Sequence, residues 1–235
     1  MFLVFALAAA PFAYDGSLQP GQTLTIRDIN GSVQVRSGDK LSVRATRTAR
    51  YSDPNSVAIH VEQRRDGLIV CVRYPPDAEA GCDARHDHSS SNNDTKVEFD
   101  VTIPRGVALD AATVNGSIEA RTEGAIDAHT VNGTIRAEGR DVHRVATVNG
   151  SIHLRILDRP TGSLEAKTVN GSIDVSLPPG TGLAINAHTL TGGIDAPGVN
   201  IDHPRYGPGA SARGTIGEGG VAVSLDTVNG SITLH

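Results

Sequence analysis

One phrase, Thr-Val-Asn-Gly-Ser-Ile, limits what this chain can fold into more than anything else in it. It stands at residues 113–118, 147–152, 168–173 and 227–232. Residues 130–135 repeat it with Thr134 for the Ser, and residues 189–194 read Thr-Leu-Thr-Gly-Gly-Ile. The Asn position falls at 115, 132, 149, 170, 191 and 229, with gaps of 17, 17, 21, 21 and 38. A weaker copy at 213–216 splits the last gap, and an early one lies at 29–33. A period near 20 residues marks supersecondary units that bury their apolar faces only by stacking on one another.

Alignment on the Asn produces columns. Three residues after it stand Ile118, Ile135, Ile152, Ile173, Ile194, Ile216 and Ile232. Five after it stand Ala120, Ala137, Leu154, Val175, Ala196 and Leu234. Six before it stand Leu109, Ile126, His143, Leu164, Ile185 and Val223; four before it stand Ala111, Ala128, Val145, Ala166, Ala187 and Leu225. Two short strands therefore flank each Asn-Gly, each with inward positions at period two. Asn-Gly between alternating strands is also a strong hairpin signal, which would give an antiparallel meander. The columns favour translation over reversal. A β-solenoid, or β-helix, needs the same residue type at the same corner of every coil, and a meander does not. Outward columns agree: Glu119, Arg136, His153, Asp174 and Asp195 in one, Arg121, Glu138, Arg155 and Ser176 in the next, with opposite charges beside one another on neighbouring rungs.

Composition fits a narrow stack. The 235 residues include 26 Gly, four Phe and no Trp, fewer aromatics than a compact globule of this size uses for its core. The net charge of −5 comes from 21 basic and 26 acidic residues, interspersed, and without a basic stripe nucleic acid is not an expected partner. Residues 20–105 read as further short alternating strands, such as Leu41/Val43/Ala45 and Val97/Phe99/Val101/Ile103. The expected organisation is a leader at 1–13, a β-rich N-terminal cap region at 14–105 with an exposed Pro/Gly/Ser/Asp loop at 74–94, and stacked short-strand rungs at 106–235. Residues 1–13, MFLVFALAAAPFA, are too short for a membrane span. They resemble the apolar core of a secretory signal with cleavage near Ala10 or Ala13, although no Lys or Arg precedes it. The other reading is a buried N-terminal strand or helix. In an exported chain the two cysteines, Cys71 and Cys82, are expected to pair. Such a loop would contribute roughly 2–3 kcal/mol in the chain-entropy model.

With these repeats, the link Val101-Thr102-Ile103-Pro104 and the segment Val175-Ser176-Leu177-Pro178, the chain from about residue 20 to its end resembles the bacterial β-strand-repeat "putative adhesin" family. The resemblance implies an exported or envelope-associated β-solenoid and brings no catalytic residues. The loop at 74–94 departs from the family pattern.

Candidate sites are few. The Asn column (Asn115, Asn132, Asn149, Asn170, Asn229) reads as corner chemistry with stacked amides rather than a ligand ladder. Beside it runs a Thr column, each member followed by Val or Leu; one of the two must face inward, and the sequence does not say which. Asp83, His86, Asp87 and His88 gather in the long loop in metal-binding residue types but at no metal-binding spacing. His129 and His188 share a column but lie rungs apart. Asp174 and Asp195 are read as neighbours on adjacent rungs, where a cation would relieve their repulsion. No cofactor is expected, nor an enzyme. The expected role is adhesion, binding or scaffolding at the periplasm or cell surface, toward an envelope protein or glycan. The alternatives are a carbohydrate-active β-helix lyase or hydrolase, and self-assembly through an uncovered final strand at 231–235.

Overall fold

The computed structural model describes residues 7–83, 92–205 and 207–235. These are all-β apart from one short 3-10 turn at Pro54–Ser56. The N-terminal strands are β1 (Leu7–Ala8), β2 (Phe12–Gly16), β3 (Thr23–Arg27), β4 (Val33–Gly38), β5 (Leu41–Ala49), β6 (Ala58–Arg64), β7 (Gly67–Arg73) and β8 (Lys96–Pro104). The repeats supply β9 (Ala108–Ala112), β10 (Ile118–Arg121), β11 (Ala125–His129), β12 (Ile135–Gly139), β13 (Asp141–Ala146), β14 (Ile152–Ile156), β15 (Leu164–Asn170) and β16 (Ile173–Ser176). The C-terminal part adds β17 (Leu183–Thr191), β18 (Ile194–Asp195), β19 (Ile201–Asp202), β20 (Ala210–Ile216), β21 (Val221–Asn229) and β22 (Ile232–Leu234).

These strands form two large mixed sheets. The two strands flanking each Asn-Gly lie in different sheets, which excludes the hairpin meander: β9 pairs with β11 in one sheet, and β10 with β12 in the other, all parallel. A rung is thus one strand from each sheet joined by a corner. Ile118, Ile135, Ile152 and Ile173 are direct partners in register, and each is at most 1% exposed. The inward columns of Ile, Leu, Val and Ala fill one continuous core from Leu24 to Leu234, uninterrupted at residue 105. Alternation at period two places one side chain in the core and the next outside, so a one-residue slip would turn every Ile outward.

Rung order in space is not chain order. The rungs run β7/β8, β3/β4, β9/β10, β11/β12, β13/β14, β15/β16, β21/β22, β17/β18. Both the first and the last complete rung of the chain are therefore interposed between others. At one end β5 and β6 cover the stack antiparallel to β8 and β7. At the other, β20 lies antiparallel to β17.

Several sequence expectations change with this topology. Asp174 and Asp195 are not neighbours, because each pairs with Thr233 between them. Strand 231–235 is not an uncovered edge, since β22 has β16 on one side and β18 on the other. Residues 213–216 are not a repeat copy: Ile216 lies antiparallel to Leu183 and outside the Ile column. A bulge at Ile126/Asp127 pairs Ile126 with Val142 and Asp127 with Arg144, so Val142, fully buried, takes the core place expected for His143. Within the expected leader, β1 and the start of β2 pair antiparallel with the outer edge of β5. Their side chains are mostly exposed, with Leu7 at 51%.

Candidate functional site

The corners carry the most regular surface of the molecule. Thr113, Thr130, Thr147, Thr168, Thr227 and Thr189 face inward and are buried. Each hydroxyl donates to the carbonyl of a corner glycine on the neighbouring rung, for example Thr130 to Gly116 at 2.9 Å and Thr189 to Gly230 at 2.8 Å. A buried carbonyl without that donor would cost roughly 1–3 kcal/mol, so Thr is the residue that fills the space and satisfies the oxygen together. The corner glycines are set by the spacing between rungs. Gly116, Gly133, Gly150, Gly171 and Gly230 do not have positive φ, and neither do the Asn residues before them. A Cβ on Gly133 would instead overlap the Gly116 carbonyl of the next rung. Close backbone approach, not left-handed conformation, demands glycine here.

With Thr inward, the following residue points out. Val114, Val131, Val148, Val169, Val228 and Leu190 occupy six consecutive rungs and are 37–51% exposed. At the ordinary inter-strand spacing they form a ridge roughly 24 Å long. Beside it the amides of Asn229, Asn170, Asn149, Asn132 and Asn115 bond in series, each Nδ2 donating to the next Oδ1 at 2.8–2.9 Å. Asn30 leaves this ladder and donates to the Thr95 carbonyl. The ridge ends at a cleft of about 460 Å³ whose lining includes Ile29, Ile69, Val114, Asn115 and the bridged Cys71 and Cys82.

The outer face of the β10–β16 sheet is a grid of charge. Glu119, Arg136, His153 and Asp174 are lateral neighbours, as are Arg121, Glu138 and Arg155. They line a shallow depression of about 200 Å³. Arg121–Glu119 closes to 2.8 Å and His235–Asp174 to 3.3 Å, but exposed pairs of this kind contribute at most about 1 kcal/mol. On the opposite sheet the Lys167 ammonium, then Arg144, hold the Glu165 carboxyl below its usual range. These acids and bases are dispersed along rungs and do not converge on a point.

The cap uses unrepeated contacts. Cys71 and Cys82 are bridged with Cα atoms 5.7 Å apart, as their pairing was expected. Tyr74, expected in an exposed loop, is buried and donates to the Thr95 carbonyl at 2.8 Å. Asp94 receives the backbone N–H groups of Arg50, Tyr51 and Ser52. These bonds, led by those from Ser52, pull its carboxyl down to about 2. His86, Asp87 and His88 lie outside the described residues. Asp83 is exposed and pairs with Arg64 at 2.6 Å. Among the described residues no group of three or more His, Cys, Asp or Glu could hold a metal ion.

One buried acid was missed in the sequence. Asp28 is 5% exposed, and no side chain donates to either carboxylate oxygen. Desolvation pushes its pKa up to about 7, with Glu98 adding a like charge against two opposing backbone hydrogen bonds. The signal lay in the early copy: Asp28-Ile29-Asn30-Gly31-Ser32-Val33 is the repeat with Asp where Thr belongs.

The fold defines a class, the two-sheet stack of parallel corner-linked rungs, and a solved structure shares it. The chain is similar to a "putative cell adhesion protein" from Clostridium sporogenes ATCC 15579, with a TM-score of 0.50 and 14% identity over 96% of this chain and 99% of that one. A "putative adhesin" from Bacteroides fragilis NCTC 9343 aligns over 96% of this chain and 97% of the other with a TM-score of 0.33 at 10% identity. At 14% identity the likeness to the clostridial protein concerns the fold alone. No family model matches the chain, and no curated protein matches it.

Proposed function

We propose that this protein is an exported, non-enzymatic β-solenoid of the cell envelope whose corner ridge binds a protein partner. The observation that carries the reading is the aliphatic ridge beside the amide ladder. Six exposed aliphatic side chains in line, rimmed by polar amides, are the pattern of an interaction surface. The stacked backbone holds them rigid before any partner arrives, which lowers the entropy lost on binding. The dispersed charge grid supports binding over hydrolysis, which needs paired acids at a fixed separation. An oxidising compartment suits the disulfide, and the likeness in fold to the clostridial protein supports an adhesive role. A leader ending at Ala10 or Ala13 would leave Tyr14–Gly16 on β5.

Beads coated with the protein should be retained on isolated bacterial envelopes. Val131→Asp with Val148→Asp should reduce retention by about tenfold or more, equivalent to about 1.4 kcal/mol. Circular dichroism should remain unchanged, because both positions are solvent-facing. Arg136→Ala on the charge grid should not reduce it. Equal retention by the ridge variant, or binding on a glycan array that the ridge variant retains, would sink the reading.

A further inference from the structure

The inward Thr column has one member that is not threonine. Asp28 follows Arg27, which pairs with Ala112, and the next residue after Ala112 is Thr113, so Asp28 and Thr113 share one register. Thr113 donates to the Gly31 carbonyl at 3.1 Å. Space where a Cβ would stand on Gly116 is taken by that same Gly31 carbonyl, and the matching space on Gly31 is taken by the carbonyl of Val97. By this translation a backbone oxygen faces Asp28 just where one faces every threonine. A carboxylate can only accept hydrogen bonds, whereas a carboxylic acid has an O–H to donate. Asp28 is buried, no side chain donates to either of its oxygens, and the backbone N–H groups of Ile29 and Asn30 favour the carboxylate less than burial disfavours it.

We propose that Asp28 stands in for threonine as a neutral carboxylic acid, donating its proton toward the Val97 carbonyl, and that its ionisation loosens the β3/β4 rung from the β7/β8 rung stacked against it. Among the groups around it, the backbone N–H groups of Ile29 and Asn30 favour the ionised form, Arg73 at the end of β7 lines the same cleft and donates to the Gly81 carbonyl, and the others fit a neutral acid. Glu98 on β8 contributes only like charge. Tyr74, after β7, is a phenol that spends its hydrogen on the Thr95 carbonyl and is itself raised by burial and by Asp28. Thr113 on the β9 side and Val72 on the β7 side, the next positions in register, carry no charge. Arg27 is engaged outside by Asp110 at 2.5 Å. The upward pKa of Asp28 agrees with this geometry.

The sign follows from proton linkage. The unfolded chain releases this proton near the ordinary value of 3.8 and the folded one near 7. Stability from this group is therefore full below pH 4 and is lost between about 4 and 7 as pH rises. Melting temperatures of the wild type and Asp28→Asn should coincide near pH 4. At pH 8 the wild type should melt at least about 5 °C lower. Asp28→Thr, the residue of the other rungs, should behave as Asp28→Asn does. An infrared band of a protonated buried carboxyl should be present in the wild type at pH 6 and missing from both variants. A gap between wild type and variants that does not change with pH overturns the proposal. So does a missing band, or failure of both neutral variants to fold.

Discussion

The repeat array and the N-terminal cap stabilise the same two sheets by opposite means. From β9 to β16 a single solution is used again and again: Ile under Ile, Thr to Gly carbonyl, amide to amide. From β5 to β8 nothing repeats. The strands turn antiparallel, a disulfide and a buried tyrosine replace the tight corner, and Asp94 gathers three backbone amides. Translation lets each rung satisfy its neighbour, so one residue choice serves all rungs. An end has no neighbour to supply the missing groups, and each must be met by a particular side chain.

The contrast can be broken first in the array. Ile152 is fully buried between Ile135 and Ile173. Ile152→Asp should abolish cooperative unfolding, since an unpaired charge in such a column costs several kcal/mol or more; an undiminished melting temperature would refute the packing described. A smaller but sharper probe separates repeat from end. Gly133→Ala should destabilise by several kcal/mol, because its Cβ would overlap the Gly116 carbonyl, whereas nothing lies near a Cβ on Gly193. Gly193→Ala should therefore stay within about 0.5 kcal/mol of the wild type by chemical denaturation. The smallest effect belongs to the cap. Asp94→Ala should lower the melting temperature by a few degrees at pH 7. Because the folded carboxyl titrates near 2, its contribution is present above the ordinary pKa of 3.8 and fades as pH falls toward 2. The difference between variant and wild type should close over that range.

The columns made the array legible because identical residues at a fixed period leave little choice of partner. Ile152 and Ala137 could be placed inward from spacing alone. Rung order could not, since Ile194 and Ile232 present the same face to a partner and either fits beneath Ile173. Proximity in sequence suggested Ile194, and the structure chose Ile232. That exchange is why Asp174 and Asp195 do not meet. The direction of Thr and Val was equally closed to sequence, because both residues are β-branched and of similar volume. What decides is the glycine carbonyl on the adjacent rung, which only a hydroxyl can satisfy. In the cap, Asp28 escaped notice because the early copy is recognisable only from Ile29 on, with an acid where the other copies carry Thr.

The interposed terminal rungs bear on how the molecule is made and how it can lengthen. β3/β4 lies inside β7/β8, and β21/β22 lies inside β17/β18. A chain leaving the ribosome or a secretion channel cannot lay down rungs in order and lock each as it emerges. The earliest rung waits for residues up to 104, and the gap beside β15/β16 waits for the last residues of the chain. A product cut short by fifteen residues would lose both β21 and β22 and leave β17/β18 stranded behind an open slot. The two ends thus act as clasps, each closed by a strand pair out of chain order: β7/β8 lies outside β3/β4, and β21/β22 lies inside β17/β18.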